Sequence, residues 1–199
     1  MYEWRKLTEK EREELLAKRQ KQRLPWHSVP HRDYDGTFRF IFTATCYEHQ
    51  PIIGATPDRL GECEQDILAI CQSLDVRVFA WCFLPNHYHL VLETDRMKEF
   101  RKEVGLYNGR TARRWNLEDQ KMGRKVWCNY FERPMQSERH FYASLNYVHH
   151  NAVKHGYVTR WQDWPFSSVH EYLVTTGRER ALEVWEEYPV LDYGKGWDW

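Results

Sequence analysis

The 199-residue sequence lacks a CxxC pair, a long apolar run, and any net surplus of one charge. Its five cysteines, Cys46, Cys63, Cys71, Cys82 and Cys128, are odd in number and scattered. They read as the reduced thiols of a cytosolic protein, with Cys46, Cys71 and Cys82 inside apolar runs and expected in the core. No apolar stretch approaches the length of a membrane span, and the charged opening Met1-Tyr2-Glu3-Trp4-Arg5-Lys6 has no signal-peptide core, so no membrane partner is expected. A cytoplasmic, nucleoid-associated location is the expectation. Internal repeats and low-complexity segments are also missing. A chain of this length can form one domain with a proper core, plus an arm or tail.

Zero net charge does not by itself suggest a nucleic-acid binder, yet the charge is unevenly spread. Residues 96–160 hold 14 Lys/Arg against 6 Asp/Glu, while both flanking stretches are acidic. A basic middle between acidic ends suits a groove for a polyanion, and a solvated helix face is the plain alternative. Ten tryptophans and twelve tyrosines can stack on bases or fill a core.

The most informative stretch is Trp81-Cys82-Phe83-Leu84-Pro85-Asn86-His87-Tyr88-His89-Leu90-Val91-Leu92. Runs rich in β-branched and aromatic residues, Val76–Phe83 and Tyr88–Leu92, meet at a Pro-Asn turn and read as a hairpin. Alternation along a strand puts His87 and His89 on one face. Neutral imidazoles so placed can share one divalent metal, although two ordinary strand histidines look the same in sequence.

Taken in order, the chain begins with an arm, residues 1–30. A capping box at Thr8 and Glu11 starts a helix running to about Arg23, too poor in aliphatics for a core face and carrying the basic run Lys18–Arg23. Thr37–Cys46 is a strand. Thr56-Pro57 opens a helix with Leu60, Ile67, Leu68, Ile70, Cys71 and Leu74 at helical spacing. After the hairpin, Arg96–Leu117 reads as a second helix interrupted near Gly105 and Gly109, Val126–Phe131 as a strand, and Ser137 to Gly156 as a third helix. The order β-α-β-β-α-β-α gives an α+β fold: a ferredoxin-like split βαβ antiparallel sheet with helices on one face, plus an extra helix and N- and C-terminal extensions. The main domain is expected over 31–174. It closes on a short helix near 167–174, and a tail, 175–199, follows with another near 179–185 and a loose aromatic end.

On the third helix Tyr147 and Asn151 lie four residues apart and share a face. A tyrosine hydroxyl can act as a covalent nucleophile, and an amide oxygen one turn away can complete a metal shell begun by His87 and His89. Tyr142 and Asn146 have the same spacing, and geometry alone does not choose between the pairs.

The set Leu84-Pro85-Asn86-His87-Tyr88-His89-Leu90, with Tyr147-Val148-His149-His150-Asn151-Ala152-Val153, resembles the REP-associated tyrosine transposases of the HUH superfamily. Lys125-Val126-Trp127 and the Trp164–Leu173 stretch extend the resemblance over residues 36–174. Leu84 stands in place of the usual Met, the polar-tipped aromatic Tyr88 at the hydrophobic position, and Ala152 in place of Pro. The resemblance implies Tyr147 as nucleophile and His87, His89 and Asn151 as ligands of Mg²⁺ or Mn²⁺, with Tyr142 a bystander. It implies cleavage and rejoining of single-stranded DNA at REP-type hairpins through a 5′-phosphotyrosine, by a monomer or homodimer. Arg110, Arg113, Arg114, Lys121, Arg124 and Lys125 are candidate backbone contacts. Trp115 or Trp127 is a candidate base stacker, with core packing an equal reading for both, and His149, His150 and His155 are expected at the surface or on phosphate rather than on a metal. Three other readings remain: a hairpin-binding protein with little cleavage, a water-using metal hydrolase, and a structural protein with accidental histidines.

Overall fold

The expected capping box forms. In this computed structural model, which describes residues 7–21, 33–128 and 130–191, Thr8 N–H donates to Glu11 Oε2 at 2.7 Å and Glu11 N–H donates to Thr8 Oγ1 at 3.4 Å. They start helix α1 (Glu9–Lys21). Arg23, the expected helix end, and the aromatic end beyond Leu191 lie outside the described residues.

Large apolar side chains alternating along Phe38–Thr45 make strand β1. Thr56 caps α2 (Pro57–Ser73) by accepting from Arg59 N–H, with Pro57 in the first turn. The hairpin follows as β2 (Arg77–Leu84) and β3 (His87–Thr94). Next come α3 (Met97–Glu118) and the short β4 (Phe131–Pro134). The sheet order is β2-β3-β1-β4 with all neighbours antiparallel. Each parallel pair is thus split by an inserted strand, as expected for the ferredoxin-like arrangement.

Alternation decides which residues meet which helices. Phe40, Phe42, Tyr88, Leu90 and Leu92 point to one face and pack with Leu60, Ile67, Phe100, Val104 and Trp115 of α2 and α3. Each such burial contributes roughly 1.5–3 kcal/mol. Arg59 locks the two helices together, donating to Asp119 at 2.7 Å and Glu118 at 2.9 Å. With Arg124 also on Asp119 at 2.7 Å, the two guanidiniums hold the Asp119 carboxyl down at about 2. Burial pushes the Cys46, Cys71 and Cys82 thiols up to about 12, so they are protonated packing groups and not nucleophiles.

The opposite face, with Ile41, Cys82, Leu84 and Val91, is covered by α4 (Glu138–His149). The expected third helix is broken once. His150 ends α4, a short α5 (Asn151–Lys154) follows, and Gly156 leaves at φ +71°. Beyond it, Ser168 N–H donates to Trp81 O at 3.0 Å, and Phe83 N–H donates to Phe166 O at 2.9 Å. Ser168 Oγ accepts from Trp81 N–H at 2.8 Å. The Trp164–Ser168 motif therefore seals the outer edge of β2, which would otherwise offer unpaired backbone groups. Helices α6 (Val169–Thr176) and α7 (Arg178–Glu187) complete the described chain. Among the described residues no helix is long and apolar enough to cross a membrane.

Three expectations need correction. The strand expected at Val126–Phe131 is displaced: β4 pairs with β1 only from Phe131 onward, and upstream Trp127 makes an isolated bridge to Cys46. The indole is drawn into the core beside Trp115, at 5.5 Å between rings, and donates to Thr111 Oγ1 at 2.9 Å. From Cys128, bonded to Thr45 O, to Phe131, opposite Thr43, the chain advances three residues against two on β1, which interrupts the ladder as a bulge does. Trp115 and Trp127 are both buried, so neither is an exposed base stacker. Finally, α3 runs through Gly105 and Gly109 without a break. Two isolated glycines cost about 1 kcal/mol each, less than the buried stripe Phe100, Val104, Tyr107, Thr111 and Trp115 contributes.

Candidate active site

The site begins with the two-residue turn of the hairpin. Gly54 N–H donates to Pro85 O at 2.9 Å, and Gly54 sits so close to Pro85 that any Cβ there would collide with it. Cys46 N–H donates to Asn86 O at 2.8 Å. The turn is thus clamped from two sides, and His87 and His89 follow it in fixed register. His87 lies between Thr45 and Leu84, and His89 between Thr43 and Cys82. Both project to the α4 face and are fully buried, with ring centroids 4.9 Å apart.

Each imidazole is oriented by an oxygen. Asn86 Nδ2 donates to His49 O at 3.3 Å, which turns Asn86 Oδ1 to His87 Nδ1 at 2.7 Å. An amide oxygen only accepts, so His87 carries its proton on Nδ1 and its lone pair on Nε2. His89 Nδ1 meets Thr43 Oγ1 at 2.7 Å. Such oxygen partners on the remote nitrogen are what metal-ligating histidines use to fix ring and tautomer.

From the other side, α4 and α5 bring three residues spaced by four. Tyr147 lies 5.1 Å from His89 between rings, with its hydroxyl 3.4 Å from Nε2. His155 lies 4.9 Å from His87. Asn151, one turn from each, is fully buried, and neither Oδ1 nor Nδ2 has a hydrogen-bond partner. A buried amide left so costs about 1–3 kcal/mol, and an ion accepting its oxygen lone pair would relieve part of that cost. Lys154 Nζ stands 4.4 Å over the Tyr147 ring.

Among the described residues no three His, Cys, Asp or Glu side chains are arranged to hold a metal. A cation here would rest on two imidazoles and the amide oxygen, with substrate oxygens completing the shell. That mixed nitrogen–oxygen set with open positions suits Mg²⁺ or Mn²⁺ chemistry, so the residues fit such an ion.

The second tyrosine–asparagine pair points elsewhere. Tyr142 stacks on Tyr188 at 5.0 Å and 24°. Asn146 Nδ2 donates to Val184 O at 3.1 Å and Tyr188 O at 2.7 Å. This pair anchors the end of α7 to α4. His149 is a further correction. It is buried instead of exposed because α6 and Ser168 cover it, with Nε2 3.3 Å from Ser168 Oγ and Tyr172 at 4.8 Å. That burial, first, and the neighbouring His150 push it down to about 3. His150 Nδ1 is 3.0 Å from Asn146 O, beside Trp185.

The six candidate DNA contacts lie on α3 and the loop after it, away from α4. Arg110, Arg113, Lys121 and Lys125 are exposed. Arg114 pairs with Glu62 at 2.7 Å and Arg124 with Asp119 at 2.7 Å. The first is an exposed pair of little worth, and the second is part of the α2–α3 lock. Sequence reasoning missed Thr43, Asn86 and Lys154. Asn86 sits in the hairpin motif and was legible there. Thr43 becomes visible only through strand register.

Comparison with known proteins follows the same residues. Residues 34–158 match the family described as Transposase IS200 like. The chain is 28% identical over 123 residues to a putative REP-associated tyrosine transposase of Haemophilus influenzae, covering 57% of this chain and 70% of that protein. It is 25% identical over 117 residues to a REP-associated tyrosine transposase of Escherichia coli, covering 52% and 61% respectively. A solved REP-associated tyrosine transposase bound to a REP hairpin shares the fold, with a TM-score of 0.54 and 18% identity over 74% of this chain and 86% of that one.

Proposed function

The chain belongs to the IS200-like transposase family, and from that premise we propose that it cleaves and rejoins single-stranded DNA through Tyr147. It is an enzyme that acts on DNA. The reading rests above all on one contact: the Tyr147 hydroxyl lies 3.4 Å from His89 Nε2, on a face where both histidines are held by oxygens.

In the reaction, the Tyr147 oxygen attacks phosphorus in line with the bond to the 3′-oxygen. The new bond is a 5′-phosphotyrosine; the phenol proton is lost, and the departing 3′-oxygen takes up a proton to become a free 3′-OH. No water adds in this step, so the 3′-OH can reverse it and rejoin a strand. His87, His89 and Asn151 Oδ1 are the groups that would hold a divalent ion, Mg²⁺ or Mn²⁺, and such an ion would supply polarisation of the scissile phosphate. Asn86 and Thr43 keep the imidazoles in their ligating orientation. Lys154 places a positive charge over the tyrosine ring, which favours the phenolate as leaving group in the reverse step. Tyr147 is fully buried, so a phosphate reaches its hydroxyl only after a local rearrangement of the elements that cover it.

The substrate is proposed to be an unpaired strand beside a hairpin of the REP type, since the named relatives and the structural neighbour are REP-associated. Arg110, Arg113, Arg114, Lys121, Arg124 and Lys125 are proposed phosphate contacts, and the nucleoid is the proposed location. Hairpin binding with little cleavage is the second reading, favoured by the complete burial of Tyr147. A covalent-trapping assay separates the two. Labelled hairpin oligonucleotides from the protein's genomic neighbourhood are incubated with Mg²⁺ or Mn²⁺ and run on a denaturing gel. A metal-dependent adduct lost in Tyr147→Phe and kept in Tyr142→Phe supports cleavage. Tight hairpin binding without an adduct supports the binder.

A further inference from the structure

Helix α5 stops at a glycine, and the way it stops sets an aromatic ring beside the site. Gly156, at φ +71°, is in the left-handed region that glycine enters freely. Its N–H donates to Val153 O at 3.0 Å, and the next N–H, of Tyr157, donates to Ala152 O at 3.0 Å. These two backbone bonds make a Schellman ending. They fix Tyr157 two residues past His155, whose ring lies 4.9 Å from that of His87.

The Tyr157 ring rests on a prepared support. Trp164 packs against the cores of both sheet faces, and its Nε1–H donates to Phe83 O at 3.0 Å. The phenol lies 5.6 Å from this anchored indole, tilted by 35°. Unlike the buried Tyr88 and Tyr147, Tyr157 is 39% exposed. An aromatic ring that is supported by its neighbour and open to solvent is a platform on which a base can stack.

The other end of the same side chain meets the support of a candidate metal ligand. The Tyr157 hydroxyl donates to Asn86 Oδ1 at 3.5 Å, and that oxygen also accepts from His87 Nδ1 at 2.7 Å. An amide oxygen has two lone pairs, so it serves both donors. Burial pushes the phenol up from its ordinary value, which keeps it a donor. Its bond is slack, since O–H···O bonds usually span about 2.7–2.8 Å. Tyr157 thus links a surface for bases to the group that orients His87.

We propose that Tyr157 is a positioning residue that couples strand to ion: a base beside the scissile phosphate stacks on its ring, and the hydroxyl then closes on Asn86 and fixes the His87 imidazole in its ligating orientation. The inference rests on the reading of the chain as a DNA enzyme and goes beyond it, because ion binding comes to depend on a base as well as on phosphate. Such coupling is reciprocal, so the ion tightens the strand by the same factor.

The test uses the full chain carrying Tyr147→Phe, so that no strand is cut. Mn²⁺ affinity is measured by calorimetry with the protein saturated by either of two hairpin oligonucleotides from its genomic neighbourhood. Both carry the same hairpin, and the unpaired flank is either ordinary or abasic, which keeps every phosphate and removes the bases. The expected result is Mn²⁺ binding about 5-fold or more tighter with the ordinary flank. Tyr157→Phe, which keeps the ring and removes the donor, brings the ordinary flank to the abasic value and leaves Mn²⁺ affinity without DNA unchanged. Tyr157→Leu, which removes the platform, also weakens binding of the ordinary oligonucleotide by about 10-fold in metal-free titrations.

Equal Mn²⁺ affinity with the two flanks, or a base-dependent gain that survives Tyr157→Phe, overturns the proposal. An equal loss in Tyr157→Phe with and without DNA also overturns it, by making Tyr157 a structural support alone. The cleavage reading fails separately. A base-dependent gain with no adduct from the wild-type chain sinks cleavage and keeps the coupling, whereas an adduct without that gain keeps cleavage and sinks the coupling. Failure of both oligonucleotides to bind overturns both.

Discussion

The two faces of one sheet differ in kind. On the α2–α3 face, β3 contributes Tyr88, Leu90 and Leu92 to a core of aromatic rings, aliphatics and protonated thiols, and the buried guanidiniums of that face, Arg59 and Arg101, are each paired with a carboxylate. On the α4 face the same strand contributes His87 and His89, and the helices covering that face bury Ser144, Asn146, His149, Asn151 and Ser168 as well. Buried polar groups are costly unless satisfied, and Asn151 is not satisfied. One face is built for stability, and the other gives some of it up around a tyrosine. Local rules broken together in one place mark a functional site.

The sharpest way to break that contrast is at the tyrosine. Tyr147→Phe is expected to lower adduct formation on the order of 10³-fold or more, with the melting temperature nearly unchanged. Residual adduct in the variant would move the nucleophile elsewhere. On the α2–α3 face, Phe100→Ala should cost about 3–5 kcal/mol in urea unfolding and leave adduct yield per folded molecule as it was. A cost below about 1 kcal/mol would mean that this face is not where stability resides.

Asn86→Ala removes the acceptor that orients His87, and Mn²⁺ affinity by calorimetry should fall about 10–100-fold. Unaltered affinity would show that the ring needs no such support. In acid the two faces should separate. His149 is held neutral, down from an ordinary 6.5 to about 3, so the unfolded chain binds its proton first. The stability of the polar face is whole above about pH 6.5 and declines as pH falls towards 3. Asp119, lowered from 3.8 to about 2 by Arg59 and Arg124, keeps its contribution until pH drops below about 4 and loses it towards 2. Hydrogen exchange followed from pH 7 to 3 should therefore open α4 and α6 before the α2–α3 pair, and the reverse order would contradict the assignment. The smallest expected effect has the unusual sign. Asn151→Leu should stabilise the protein by about 1 kcal/mol by removing an orphaned amide while weakening Mn²⁺ binding. Destabilisation would mean that the amide is satisfied in solution.

The strands and the helical stripes were legible because they repeat with the backbone's own period, and the capping box at Thr8 and Glu11 because its spacing is fixed by one helical turn. The His-x-His pair on one strand face was legible for the same reason. The displaced β4 was not, because the pull of Trp127 into the core beside Trp115 is a contact between distant segments. Nor was the continuity of α3 through Gly105 and Gly109, since propensity penalises glycine locally and tertiary burial overrides it. His149 was misplaced because the helix covering it lies further along the chain.

By itself the sequence determined that His87 and His89 share a face, and that Tyr147 and Asn151 share another. It offered Tyr142 and Asn146 on equal terms. Which pair faces the histidines only the tertiary structure decided, by docking α4 so that Tyr147 meets His89 across 58 residues of chain while Tyr142 and Asn146 take up the end of α7. The physical reason is that periodicity depends on φ and ψ alone. Which side of a helix faces a sheet depends on the summed burial of all its residues against surfaces that exist only once the chain has folded.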